Sequence, residues 1–518
     1  MWLARDIVLA LLIITKSESA RILALFPTPS ISHQVVFRPL TQELAKRGHE
    51  VTVLTTDPAF PKGKSPKNLY EIDFHDLSYT TKELLARTLA TGNRGDLMTQ
   101  IERVFKGNSK VIEKQLLSEE IQNMINNKSI IYDLLIVELF SRAALSYSHI
   151  YKVPVIQISS FGAIPGTFDS IGVPSHPNLY PIAARQRFLN LTTWENMLEL
   201  YSYCSINEAI INMENAENEM LKTIIDTNIP PMSELRKNVQ ISLLNLHSVW
   251  DFNRPVTKNV VYINGIHHTL KKDLPKDLKL YLDNSKNGVV FVSFGTNSMP
   301  SILPPKKIQV LMNVFSQLQY DILLKWDTEK IINCPNNVRV GIWFPQSDLL
   351  QHPNIKAFVT QAGLQSTDEA INAGVPLVGI PLLGDQWFNA EMYKLYKIGI
   401  KLDMETLTEE ILNNSLEAVI RDPSYRNNII KLRSIMRDQA YSPLQRAVWW
   451  TEYVLRHGGE HLRAPAADMH WAEYYELDLV VITLCVAIVS LILVSCLIRF
   501  VISRIMSHFT ISTKWKIN

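Results

Sequence analysis

Three short clusters in the second half of the chain carry the side chains best suited to holding a ligand: Trp343-Phe-Pro-Gln346, Thr360-Gln-Ala-Gly-Leu-Gln-Ser366 and Gly384-Asp385-Gln386. Each follows an apolar run that reads as a buried strand. In the first, the indole of Trp343 can stack on a planar base, and the amide of Gln346 can hydrogen-bond to it. In the second, a strand gives way to a helix, so free backbone N–H groups and the positive end of a helix dipole converge near Gly363 and Ser366. That arrangement suits a pyrophosphate. Gly363 lets the backbone approach closely, Ser366 offers a hydroxyl, and Glu369, one turn on, can reach ribose hydroxyls. In the third, Asp385 and Gln386 can grip the hydroxyls of a sugar. Taken singly, each cluster is as well explained by structure, since a glycine at a strand-to-helix turn serves geometry and an aspartate after a strand serves as a cap.

In the first half, His33 lies after the strand-like run Arg21–Phe26, just ahead of a helix expected to begin near Val35. A helix N-terminus disfavours the protonated imidazole, which makes His33 a natural general base. A purely capping histidine is the competing reading.

These groups need sheets to position them. Arg21–Phe26, a helix with apolar spacing at Val36, Leu40 and Leu44, and a strand over Glu50–Thr55 form a parallel βαβ unit. Ile131–Val137 and Val153–Ser159 read as later strands, with Ala143–Tyr151 helical between them. A turn-rich stretch containing Ile229-Pro230-Pro231 and Arg254-Pro255 marks a boundary. A second alternating series follows: strands over Val289–Phe294, Tyr320–Lys325, Val338–Ile342, Ala357–Thr360 and Leu377–Ile380, with helices over Pro305–Gln317 and Gln365–Ala373. Ligands of open parallel sheets bind beyond the carboxyl ends of the strands, so two such sheets facing each other would make a cleft with a different ligand on each wall.

Order, spacing and flanking elements of the three clusters resemble the donor-binding signature of the UDP-glycosyltransferases, and the resemblance extends over nearly the whole chain. It implies the GT-B fold, an α/β architecture of two Rossmann-like domains facing a cleft, with one C-terminal transmembrane helix. It implies that Trp343 stacks on uracil, that Gln346 and Glu369 hold uridine, that Ser293, Thr296, Gly363 and Ser366 hold the diphosphate, and that Asp385 and Gln386 read the sugar. It also assigns His33 as the base and pairs it with a carboxylate beyond a later strand. Glu138 occupies that position where the family usually has Asp, and Asp133, before the strand, is the reserve candidate. Two departures stand in the signature: Gln361 replaces a common His, and Ala362 replaces a small residue that is often Gly. Gln361 can bond a phosphate oxygen but brings no charge. The Gln form is similar to insect members and favours UDP-glucose over UDP-glucuronate.

The implied reaction is a single inverting displacement onto a hydroxyl of a small lipophilic acceptor, with the UDP-sugar as co-substrate and no cofactor. Phe161 and Phe168 are candidate acceptor-lining residues. The chain contains no Asp-x-Asp pair, so no metal is expected. A protein that holds the nucleotide sugar or lipophile without turnover, and a single-pass receptor, are the alternative readings.

The remaining expectations concern organisation. With 518 residues, 47% hydrophobic and a formal charge of only +2, the chain is globular and offers no basic field for nucleic acid. Residues 1–19 read as a signal peptide, 20–250 as the acceptor domain, 251–273 as a linker, 274–440 as the donor domain and 441–478 as helices leading to the membrane. The uncharged run 479–498 can span a bilayer, and Arg499, Arg504, Lys514 and Lys516 place the tail 499–518 on the cytosolic side. Lys514 and Lys516 resemble a dilysine retrieval signal, so the expected location is the endoplasmic-reticulum membrane with a lumenal body. Sequons at Asn127, Asn190 and Asn413 fit a glycoprotein. Four cysteines, two of them in the span, imply no disulfide framework. A homo-oligomer is compatible with this plan.

Overall fold

The computed structural model describes residues 19–86, 97–296, 299–328, 331 and 334–514. The expected signal peptide therefore lies almost wholly outside the described residues, as does Lys516 of the tail. Two compact units are present, one of Met1–Asp169 with Val173–Arg463, the other of Ser170–Gly172 with Ala464–Asn518.

The first unit contains two wholly parallel sheets. One has seven strands: β1 (Arg21–Phe26), β2 (Glu50–Thr55), β3 (Leu69–Asp73), β4 (Leu134–Glu138), β5 (Val155–Ser159), β6 (Val239–Leu244) and β7 (Val260–Tyr262). They are ordered β3-β2-β1-β4-β5-β6-β7. The other has six: β8 (Val289–Ser293), β9 (Asp321–Lys325), β10 (Val338–Gly341), β11 (Ile355–Thr360), β12 (Leu377–Gly379) and β13 (Gly399–Lys401), ordered β10-β9-β8-β11-β12-β13. Central strands read as continuous apolar runs because helices cover both faces: β4, β5, β6 and β8 are buried at every position. In each sheet the order reverses once, between β1 and β4 and between β8 and β11. Those crevices are where a ligand has access to strand ends and helix N-termini together.

Several elements differ from the sequence expectation. The helix after β1 spans Ile31–Lys46, with Ser30 as its extended N-cap, so His33 sits inside the first turn and not ahead of it. Apolar spacing registers a helix only where it faces the core, and the fully buried positions of this one begin at Gln34. Strands β6 and β7 fall where the sequence reads as turn-rich connection, and β7 lies inside the stretch 251–273 expected as linker. Fully buried parallel strands have no alternation to reveal them, and the nearby prolines obscure them further.

The helix Pro443–His457 returns to the first sheet. Ala447, Val448 and Val454 join the core formed by Ile22, Ala24, Val36 and Leu40. Arg446 Nη1 donates to the Tyr262 carbonyl at 2.7 Å. The capping box of Ser442 and Gln445 starts this helix, with Pro443 at its first position. In the second unit, one helix runs over Leu477–Lys514, and its portion Leu477–His508 is long and apolar enough to cross a membrane.

Candidate active site

At the first switch point the structure brings His33 and Glu138 together. Glu138 is the last residue of β4 and His33 lies on the helix that follows β1, and these two strands are hydrogen-bonded neighbours. His33 Nδ1 stands 2.6 Å from Glu138 Oε1, with the carboxylate side chain 1% exposed. The other oxygen, Oε2, accepts the backbone N–H of Thr28 at 3.2 Å and the hydroxyl of Ser141 at 3.3 Å. A carboxylate so buried needs such donors, and they lock its orientation. The loop after β1 is itself fixed by Gln34, whose amide donates to the carbonyls of Phe26 and Thr28 and accepts from Thr55. With Nδ1–H directed at the carboxylate, Nε2 is left as the acceptor. Phe140 and Phe161 stand edge-on to the imidazole, with centroids at 6.1 and 5.6 Å. Asp133, the reserve partner, lies at the opposite end of β4 and accepts the N–H of Arg21 at 2.7 Å, so it caps the sheet.

At the second switch point the donor candidates gather at the carboxyl ends of four strands. Gln346 Nε2 donates to Ser366 Oγ at 2.9 Å and to Glu369 Oε2 at 2.7 Å, joining the first and second clusters. Burial pushes the Glu369 carboxyl up to about 7 against the opposing bond from Gln346, with Asp348 adding to the rise. Trp343 is 64% exposed and offers its ring outward. Ser293 ends β8 and its Oγ accepts the Gly295 N–H at 3.4 Å, while Thr296 next to it is exposed. Gly363 is the N-cap of the helix Leu364–Ala373, with no side-chain cap on its first N–H groups. Gln361 is buried, and its amide lies over Gly295 so closely that a Cβ there would stand 2.0 Å from Nε2. Gly295 has φ +81°, so a side chain is excluded on both counts. Ala362, where the family often has Gly, adopts φ +69°.

Asp385 precedes the helix Gln386–Tyr396, and its Oδ2 accepts from Asn389 Nδ2 at 2.8 Å. Burial raises its pKa against the bond from Asn389, and Asp385 lines the same pocket as Phe161, whose ring stands 5.6 Å from that of His33. Gln386 is placed differently from a sugar-reading residue alone: its Oε1 accepts the N–H groups of Leu382 and Leu383 at 2.8 and 2.9 Å and so shapes the loop.

The sequence reading missed Asn389, Trp250 and Lys325. Asn389 also donates to the Ala362 carbonyl at 2.9 Å and accepts from Trp250 Nε1 at 3.0 Å, tying Asp385 to the Gln361–Gly363 turn and to the first sheet's domain. An asparagine one turn into a helix gives no sequence signal of this. A pocket beside His33 is walled by Phe161, Ile164, Phe168, Leu246 and Trp250, and Asp385 reaches it from the other domain. Its polar edge is set by Arg254, whose guanidinium lies 4.1 Å over the Phe168 ring and pairs with Asp251 at 3.1 Å.

Two parallel α/β sheets whose switch points meet at one cleft define the GT-B class of glycosyltransferase, and the solved structure of the glycotransferase of kitacinnamycin shares the fold, with a TM-score of 0.57 at 18% identity over 85% of this chain and 99% of that one. The family model described as "UDP-glucoronosyl and UDP-glucosyl transferase" matches residues 22–510, and the chain belongs to that family of enzymes. An ecdysteroid UDP-glucosyltransferase of Lymantria dispar multicapsid nuclear polyhedrosis virus is 39% identical, covering 92% of this chain and 95% of the relative. UDP-glucosyltransferase 2 of the insect Dactylopius coccus is 30% identical, covering 98% of each.

Proposed function

We propose that this UDP-glycosyltransferase moves glucose from UDP-glucose to a hydroxyl of a small lipophilic acceptor with inversion, using His33 as general base. The observation that carries this is the His33–Glu138 pair at 2.6 Å, beside an apolar pocket that Phe161 and Asp385 both line. The acceptor hydroxyl gives its proton to His33 Nε2 while its oxygen bonds to the anomeric carbon. The bond from that carbon to the diphosphate breaks, and its electron pair leaves with UDP toward the N-terminus of Leu364–Ala373. Glu138 stabilises the imidazolium that forms. An α-linked donor thereby yields a β-glycoside.

Glucose over glucuronate is supported by Asp385, since a second carboxylate on the sugar would meet like charge there, and by the names of the two relatives. Trp343, Gln346 and Glu369 hold the uridine, and Ser293, Thr296, Gln361, Gly363 and Ser366 hold the diphosphate. Asp385 reads the sugar, with Gln386 shaping its loop. The lipophilic acceptor is supported by the apolar wall around Phe161 and Phe168. An anchored body in the lumen of the endoplasmic reticulum fits the helix Leu477–His508 and the basic residues after it.

The test is UDP release from microsomes containing the full chain, offered UDP-glucose or UDP-glucuronate with a panel of phenols and an ecdysteroid, in EDTA. The expected result is acceptor-dependent release with UDP-glucose, indifferent to EDTA and lowered about 10³-fold by His33→Ala, with UDP affinity retained. Binding of UDP-glucose without acceptor-dependent release would favour a non-catalytic binding protein and sink the proposal.

A further inference from the structure

The donor wall holds one charged group that no role above uses. Lys325 ends β9 and pairs in register with Ser293 at the end of β8, so its side chain rises at the carboxyl edge of the sheet beside the phosphate loop. Nζ donates to the Gly295 carbonyl at 3.0 Å and lies 4.5 Å from the centroid of the Trp343 ring. Gly295 is in turn covered by the amide of Gln361. One ammonium thus touches the loop that leads to Thr296 and the indole of the base platform, with the first residue of the Gln361–Ser366 turn just behind.

Its surroundings are unusual for a lysine. Burial alone lowers its pKa, with no carboxylate among the described residues opposing the shift. Two other cations of the same sheet are neutralised: Arg339 pairs with Asp277 at 2.6 Å and Lys401 with Glu391 at 2.9 Å. A half-buried ammonium with no counter-ion among the described residues is costly unless an anion sits beside it. Of the three N–H donors of an ammonium, the Gly295 carbonyl takes one. The indole face takes a second direction, and a third is left for an anion in the cleft.

We infer that Lys325 binds the diphosphate of the UDP-sugar, supplying the positive charge that Gln361 cannot. This rests on the donor reading above. Gln361 and Lys325 then act on the diphosphate in complementary ways, the amide by hydrogen bonding and the ammonium, on its flexible stem, by neutralising charge. A cation on one face of the indole also draws electron density from it and leaves the opposite face to the base.

The test compares equilibrium binding of UDP and of uridine to the full chain in lipid nanodiscs, for wild type, Lys325→Gln, Lys325→Met and Lys325→Arg. The Gln variant removes the charge and keeps an N–H donor, one bond shorter, on the side of the Gly295 carbonyl. The expected result is UDP affinity about 10- to 100-fold weaker in Lys325→Gln, uridine affinity changed less than about threefold, and Lys325→Arg close to wild type for both. The salt dependence of UDP binding should fall in the Gln variant as well. If the Gln variant fails to fold, the Met variant is read by the same UDP-to-uridine ratio. An unchanged ratio in the folded variant, or equal loss of UDP and uridine, would overturn the inference and leave Lys325 as a prop for the indole. Failure of the wild type to bind UDP at all would instead overturn the donor reading itself, and this inference with it.

Discussion

The two switch points of this molecule are built on opposite principles. At the first, the His33–Glu138 pair is closed on itself: His33 is held by Glu138, Glu138 by the Thr28 N–H and the Ser141 hydroxyl, and the loop beneath by Gln34, all within one sheet's domain. At the second, contributions come from the ends of β8, β9, β10, β11 and β12, and the groups face outward: an indole 64% exposed, a helix N-terminus without a side-chain cap, an ammonium with no carboxylate partner among the described residues. The difference follows from what each must do. A base has to present one lone pair in one direction, which rigid internal hydrogen bonds achieve. At the second, Gln346 is satisfied internally by Ser366 and Glu369, but the N-terminus of the helix Leu364–Ala373 keeps N–H groups without a side-chain cap.

The contrast can be sharpened first at the closed centre. Glu138→Gln keeps the size of the side chain but removes the charge that orients Nδ1–H and stabilises the imidazolium. Turnover is expected to fall by about 10²-fold or more, with UDP affinity unchanged, measured by steady-state kinetics beside equilibrium binding. Loss of UDP affinity in this variant would mean that the two switch points are not separable.

A smaller effect is expected at the donor helix, where burial pushes Asp368 up to about 8 from its ordinary 3.8, with the neighbouring Glu369 adding to the rise and Asn264 opposing it. Between those values the folded chain holds a proton that the unfolded chain has lost, so the stability contributed by this group is present at low pH and is lost as pH rises through about 8. Asp368→Asn should therefore flatten the fall in thermal midpoint between about pH 5 and pH 8. The slope should not vanish, because Glu369, pushed up to about 7, acts with the same sign. An unaltered pH profile would show that Asp368 is ionised in the folded protein.

The smallest effect is expected at Ala362, which holds a left-handed backbone at φ +69° and is fully buried. Ala362→Gly relieves about 1–2 kcal/mol of steric cost, offset in part by the entropy gained by the unfolded chain. A net stabilisation of up to about 1 kcal/mol, read from the thermal midpoint, would confirm that the family's glycine preference here is conformational.

How much of this was legible depended on whether a group's role was local. The clusters at Trp343, Gly363 and Asp385 were readable because a strand followed by a turn and a helix announces itself within a few residues. His33 was readable as a residue, though its place inside the helix was not, because the fully buried positions of that helix begin only at Gln34. The role of Lys325 was invisible, since it ends an apolar strand and meets Gly295 and Trp343 only when β8, β9 and β10 lie side by side. Asn389 was hidden for the same reason, its partners being Asp385 nearby but also Ala362 and Trp250 far along the chain.

By itself, then, the amino-acid sequence determined the alternation of strands and helices, the presence of an apolar span near the C-terminus and the identity of the side chains offered at strand ends. Those properties arise from neighbours within a turn or two, where propensity and burial pattern act. Only the tertiary structure decided that Glu138 and not Asp133 meets His33, that Gln386 builds its loop, and that Lys325 stands between Gly295 and the Trp343 indole. Strand order brings such groups together, and that order is set by the packing of whole sheets, in which residues a hundred positions apart become hydrogen-bonded neighbours.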